Sequence, residues 1–97
     1  MVIEVETKDE LTELIAAGAV LVNVQENDEL DQGGLKFDEH WPLSTFATRK
    51  ARVSPRNERP FVFYCRSGVR SYKAAEIAAE WSESSCYILQ GGYPRFL

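Results

Sequence analysis

Three short apolar runs constrain the fold of this chain more than any other feature. They are Ala19-Val20-Leu21-Val22-Asn23-Val24, Phe61-Val62-Phe63-Tyr64 and Cys86-Tyr87-Ile88-Leu89. A strand with one wet face alternates polar and apolar residues, whereas a nearly continuous apolar run suits a strand covered on both faces, as in a parallel sheet. Helical patterns lie between the runs. Thr7-x-x-Glu10 reads as a capping box with Thr7 as N-cap, followed by Leu11, Leu14 and Ile15 at helical spacing and Gly18 as a stop. Ala74, Ala75, Ile77, Ala78 and Trp81 give the strongest helical pattern, over 71–81, with Ser71 as a candidate cap. Strands alternating with helices predict an α/β fold: a small, mainly parallel central sheet with helices on both faces. Reactive loops in such sheets sit at the carboxyl ends of the strands.

The remaining segments are less regular. Val2–Val5 reads as a short strand. The acidic stretch 25–34 ends in Gly33-Gly34 and reads as loop, with room for one helical turn at 26–30. Residues 35–43, which hold the sole histidine, His40, have no clear period. Thr45–Arg52 reads as a short helix with Phe46 inward. Residues 53–60, with two prolines, and 82–85 read as loop and turn. The aromatics of the tail Tyr93–Leu97 are expected to hold it against the body.

Ninety-seven residues provide for one small core, so 1–97 is expected to be a single domain. No apolar run reaches the roughly 18 residues of a membrane span. Met1–Glu6 lacks the basic-then-apolar order of a signal peptide, and two cysteines are too few for a disulfide framework. The expected setting is therefore cytoplasmic. Net charge is −4, yet residues 1–39 carry 11 acidic and 2 basic side chains while residues 40–97 carry 4 acidic and 9 basic. The basic half can attract small anions, or it is ordinary solvated surface. An acidic chain without an aromatic–basic stripe is not expected to bind nucleic acid.

The chemistry concentrates in Cys65-Arg66-Ser67-Gly68-Val69-Arg70-Ser71, between the end of an apolar strand and the start of a helix. That placement aims backbone N–H groups and the positive end of a helix dipole at one sulfur, and Arg66 and Arg70 add two charges. All three favour thiolate over thiol, the form that acts as a nucleophile. Gly68 is expected to supply a positive φ or a close backbone approach. Ser67 and Ser71 can donate hydroxyl hydrogen bonds to the sulfur. Arg66 is expected to point outward, and Arg70 either binds an anion or pins the loop.

This loop, with Gly91-Gly92 downstream, resembles the rhodanese (sulfurtransferase) family. The resemblance implies a rhodanese-like α/β domain in which Cys65 is the catalytic persulfide carrier and Arg66, Ser67, Gly68, Val69, Arg70 and Ser71 form the substrate-binding loop around the outer sulfur. It implies a small anionic sulfur donor such as thiosulfate, a thiol or cyanide acceptor or a protein in either role, and no cofactor or metal. Tyrosine-phosphatase loops place five residues between cysteine and arginine. Here only four separate Cys65 from Arg70, a cradle too tight for phosphate but roomy enough for a terminal sulfur. That spacing disfavours phosphatase or arsenate-reductase chemistry.

Two departures from the family pattern stand out. The usual Asp-Val-Arg at the end of the second strand reads Asn23-Val24-Gln25, so both charges are lost together, which strands neither partner. The usual Gly-His-Ile-Pro-Gly-Ala segment is replaced by Gly33-Gly34-Leu35-Lys36-Phe37 and His40-Trp41-Pro42. Two other readings stay open beside the enzyme, the first of them because of these departures. One is a catalytically weak rhodanese-like binding or regulatory module, its partner held by the basic half, where Arg49, Lys50, Arg52, Arg56 and Arg59 cluster. The other is a thiol redox protein in which Cys86 resolves Cys65. For Cys86 itself, a buried strand position is the simpler expectation, as loop or surface is for His40, and core packing for Trp41 and Trp81. Tyr93 either lines the mouth of the pocket or anchors the tail.

Overall fold

A computed structural model describes residues 2–28, 35–48, 59–81 and 85–97. Its elements, in chain order, are β1 (Val2–Val5), α1 (Lys8–Ala16), β2 (Val20–Asn23), β3 (Glu39–His40), a 3-10 turn (Leu43–Thr48), β4 (Phe61–Tyr64), α2 (Val69–Trp81), β5 (Cys86–Leu89) and a 3-10 turn (Tyr93–Phe96). The strands form one sheet in the order β1-β5-β4-β2-β3, with every neighbouring pair parallel.

The apolar runs fill the central strands because both faces of the sheet are covered. On β4, Phe61 and Phe63 point into one core with Val20, Val22, Trp41 and Ile88, while Val62 and Tyr64 point into the other with Val5, Leu21 and Leu89. Helix α2 closes the first face through Ala74, Ala75 and Ala78, all fully buried. Three small side chains on one stripe let this helix lie close to the sheet. Helix α1 closes the second face through Leu11, with Tyr93 and Phe96 of the tail beside it. The predicted sandwich of helix, parallel sheet and helix is thus observed.

Local signals place the first helix. Thr7 caps α1: its Oγ1 accepts from the Glu10 amide at 3.1 Å, and Glu10 Oε1 accepts from the Thr7 amide at 3.1 Å. Gly18 follows at φ 94°, a conformation that favours glycine.

Residues 35–43, without a readable period, contain the short strand β3. Two residues are too few to show one. Its register with β2 pairs Val22 with Glu39 and Asn23 with His40. Asp38 fastens the approach, since its amide donates to the Leu21 carbonyl at 2.8 Å and its Oδ2 accepts from the Leu21 amide at 2.9 Å. Trp41 then enters the core beside Phe61 and Phe63, its Nε1–H donating to Glu39 Oε1 at 2.9 Å. Of the helix expected at 45–52, residues 49–52 lie outside what is described; over the rest the expectation is corrected to a 3-10 turn that starts earlier, at Leu43, where the Thr45 amide bonds the Pro42 carbonyl at 2.9 Å. The Phe46 and Trp81 side chains, the loop at 53–58, the turn at 82–84 and four of the five clustered cations lie outside what is described. The fifth, Arg59, donates Nε–H to the Gly18 carbonyl at 2.6 Å.

Candidate active site

The parallel register brings the carboxyl ends of β2 and β4 together. Asn23 pairs with Tyr64, and the Val24 amide donates to the Tyr64 carbonyl at 3.0 Å, carrying the pairing one step past the strands. Cys65 is the next residue of β4's chain. It is fully buried, and the loop folds back over it before α2 begins.

The Gly68 amide donates to Cys65 Sγ at 3.0 Å, and Ser71 Oγ lies 3.6 Å from the same sulfur. Gly68 adopts φ 93° and stands where the helix cap should be: its carbonyl takes the first helical bond, from the Tyr72 amide at 3.1 Å. The expected cap, Ser71, is therefore corrected. It lies inside the first turn of α2, fully buried, with its Oγ donating to the Gly68 carbonyl at 3.0 Å.

Burial alone would raise the Cys65 thiol. The backbone N–H and hydroxyl of Ser71, with the N–H groups of Gly68 and Ser67, outweigh that cost and leave the thiol below its ordinary value. A protonated sulfur donates to Ser71 Oγ. Once the proton is lost, the hydroxyl can turn to donate to the thiolate instead, so one side chain serves both states. Ser67 reaches the sulfur through its backbone N–H, whereas its hydroxyl oxygen accepts from the Val69 amide at 3.5 Å. Arg66 is exposed, as expected, and Val69 stands far into solvent at 73% exposure, while Arg70 is half-buried on the first turn of α2. Cys65, Gly68 and Ser71 thus touch one another; Arg66 and Val69 form the outer rim.

A second loop supports the first from below. Gly91-Gly92 follows β5, and the Tyr93 amide donates to the Cys65 carbonyl at 3.0 Å. Gly92 adopts φ 93°, and a Cβ there would stand 1.8 Å from the Arg66 carbonyl oxygen. A Cβ on Gly68 would in turn meet the Gly91 and Gly92 amide nitrogens at 3.3 and 3.4 Å. The two glycine turns nest against each other, with no room for a side chain at Gly92. Tyr93 is buried with its ring edge-on to Tyr64, so it anchors the tail. Nothing in the sequence signals the Tyr93 amide bond to Cys65; only the Gly-Gly doublet points to this contact.

Asn23 and Gln25, the neutral residues standing where the resemblance implies charges, are buried. Asn23 Oδ1 accepts from the Gln25 amide at 2.9 Å. The Gln25 side chain is fully buried, and among the described residues neither its Oε1 nor its Nε2 has a hydrogen-bond partner. His40, expected to be loop or surface, is half-buried in β3 and donates Nε2–H to the Gln25 carbonyl at 2.6 Å.

Cys86 is far from this chemistry. It pairs in register with Phe61, at the amino end of β4. Cys65 lies four residues further along, roughly 13 Å at strand rise. Burial pushes the Cys86 thiol up to about 11, so it remains a core residue. Among the described residues, no group of three or more His, Cys, Asp or Glu side chains is placed to hold a metal ion.

The family model of the rhodanese-like domain matches residues 2–97. The chain belongs to the rhodanese-like family. A relative from Bacillus subtilis (strain 168), the uncharacterized protein YqhL, is 31% identical over 78 residues, 80% of this chain. This chain spans only 60% of that relative's length. Among solved rhodanese-fold structures, the reduced Bacillus anthracis CoADR-RHD superposes with a TM-score of 0.78 at 25% identity, covering 98% of this chain but 16% of the larger protein. A rhodanese homologue from the extreme thermophile Thermus thermophilus superposes with a TM-score of 0.69 at 26% identity, covering 95% of this chain and 98% of that one. The loop resemblance and the family assignment agree.

Proposed function

We propose that this chain is a sulfurtransferase that carries sulfane sulfur as a persulfide on Cys65, with 1–97 acting as one rhodanese-like domain. One observation carries the reading: a buried sulfur that accepts the Gly68 N–H at 3.0 Å at the amino end of a 13-residue helix. The Cys65 thiolate attacks the sulfane sulfur of thiosulfate. The S–S bond of thiosulfate breaks, sulfite leaves with the bonding pair, and Cys65 holds a persulfide whose outer sulfur is anionic. The N–H groups of Ser67, Gly68 and Ser71 are the donors available to that charge, and Arg66, exposed and next to Cys65 in the chain, is a cation for an incoming anion. Cyanide or a thiolate then attacks the outer sulfur, and Cys65 departs as thiolate, so no oxidant or reductant is consumed. No cofactor takes part.

Thiocyanate formation from thiosulfate and cyanide tests the reading. The parent should turn over and Cys65→Ser should not; equal rates would reject the role given to Cys65. A second reading, a binding module that keeps the loop with little chemistry, is favoured by neutral Asn23 and Gln25 where the family carries charges. It requires a Cys65 that alkylates no faster than a free thiol at neutral pH.

A further inference from the structure

The first turn of α2 presents a surface that a small anion does not need. Val69 and Tyr72 are three residues apart and Val69 and Lys73 four, so all three share one helical face. Val69 is the most exposed large hydrophobic side chain among the described residues, at 73%, and Tyr72 is 45% exposed. Lys73 is exposed beside them, and Arg66 is exposed on the loop just before. Further along the same face come Glu76 and Glu80, both exposed, which bound the patch with opposite charge. The result is a compact surface, apolar at its centre, cationic on the side of the loop over Cys65 and acidic further along α2.

We propose that this surface docks a protein that exchanges sulfur with Cys65 through a cysteine set in an acidic segment with apolar flanks. The inference rests on the sulfurtransferase reading. The fully buried Cys65 places the loop and this turn between the sulfur and any macromolecular reactant. Whatever covers Val69 therefore sits beside the loop whose Gly68 amide holds the sulfur. Arg66, Lys73 and the positive end of α2 select negative charge, and the side chains of Val69 and Tyr72 gain from apolar contact. In the exchange, the partner's thiolate attacks the outer sulfur of the Cys65 persulfide. The persulfide S–S bond breaks, a new S–S bond forms on the partner, and Cys65 leaves as thiolate, with no net oxidation.

Peptide acceptors test this directly. The protein is loaded with inorganic polysulfide and discharged by free cyanide, by a short peptide carrying Asp-Leu-Cys-Leu-Asp, or by its counterpart carrying Lys-Leu-Cys-Leu-Lys. Each peptide's rate is divided by its rate toward a small disulfide, which removes differences in thiol ionisation. The acidic peptide should discharge the protein at least about tenfold faster than the basic one. The variant Tyr72→Ser/Lys73→Glu should lose that preference while cyanide discharge stays unchanged. Equal peptide rates, or an unaltered preference in the variant, overturn the docking surface and leave the sulfurtransferase reading standing. Discharge that follows the concentration of unloaded protein rather than of peptide assigns the surface to a second copy of this chain and also overturns it. A parent that takes up no sulfur at Cys65 removes both.

Discussion

Gly92 lies against Arg66 so closely that a Cβ on Gly92 would stand 1.8 Å from the Arg66 carbonyl oxygen. Two segments 26 positions apart thus meet backbone to backbone at the base of the reactive loop. The shape of the loop over Cys65 depends on a residue with no side chain and no chemistry.

Gly92→Ala should therefore disturb the site more than its size suggests. The methyl group overlaps backbone, which cannot swing aside, and φ at this position is 93°. We expect a stability loss of about 3 kcal/mol or more, from positive-φ strain plus the forced loop displacement, read as a lower urea midpoint. Alkylation of Cys65 should lose its thiolate advantage in the same variant.

Ser71→Ala tests the hydroxyl that serves both states of the sulfur. Removing it takes away one of the hydrogen bonds that hold the Cys65 thiol below its ordinary value. The alkylation pH profile should shift to higher pH, and the neutral-pH rate should fall roughly tenfold, the scale of one hydrogen bond to a charged group. The fold should be retained, because alanine suits the interior of α2. An unmoved profile would leave the backbone N–H groups as the source of the effect.

Gln25→Leu is expected to stabilise the protein. A fully buried carboxamide with neither polar atom partnered among the described residues costs about 1–3 kcal/mol relative to an apolar side chain of like shape. The urea midpoint should rise, by about 1 kcal/mol in ΔG after imperfect repacking. A drop instead would show that the carboxamide is held by an interaction with a real energetic return.

Cys86→Ala should leave alkylation of Cys65 and its sulfur loading unchanged, at a cost of about 1 kcal/mol at neutral pH for lost packing. Its pH signature is more specific. The folded state keeps Cys86 protonated up to about 11, against 9.0 for the ordinary thiol. The raised value adds stability that is fully present below pH 9 and is lost as pH climbs from 9 through 11, about 2–3 kcal/mol in all. The parent's stability should decline across that window more steeply than that of Cys86→Ala. Parallel curves would contradict the burial of this thiol.

What the sequence reveals here depends on how far apart the responsible residues stand. The α1 cap was legible because Thr7 and Glu10 are three residues apart and the pairing is local. The central strands were legible because coverage on both faces removes polar alternation from Phe61–Tyr64. The Cys65 loop was legible as chemistry, since strand, turn and helix start are contiguous. The two-residue β3 was not, being shorter than any period, and its position depends on Asp38 bonding to Leu21. The start of α2 was misplaced by two residues because a serine signals a cap more strongly than a glycine. At this site Gly68 takes that position, and Ser71 is drawn inward to the sulfur. The Gly92 contact and the unpartnered Gln25 carboxamide come from tertiary packing, which no local pattern encodes.

The central claim is that Cys65 accepts sulfur, and intact mass measures it most directly. Reduced protein is incubated with thiosulfate, freed of small molecules and weighed, alongside Cys65→Ser treated in the same way. The account predicts a gain of one sulfur atom on the parent alone, removed by cyanide with return to the starting mass. No gain on a folded parent, or an equal gain on Cys65→Ser, would contradict it.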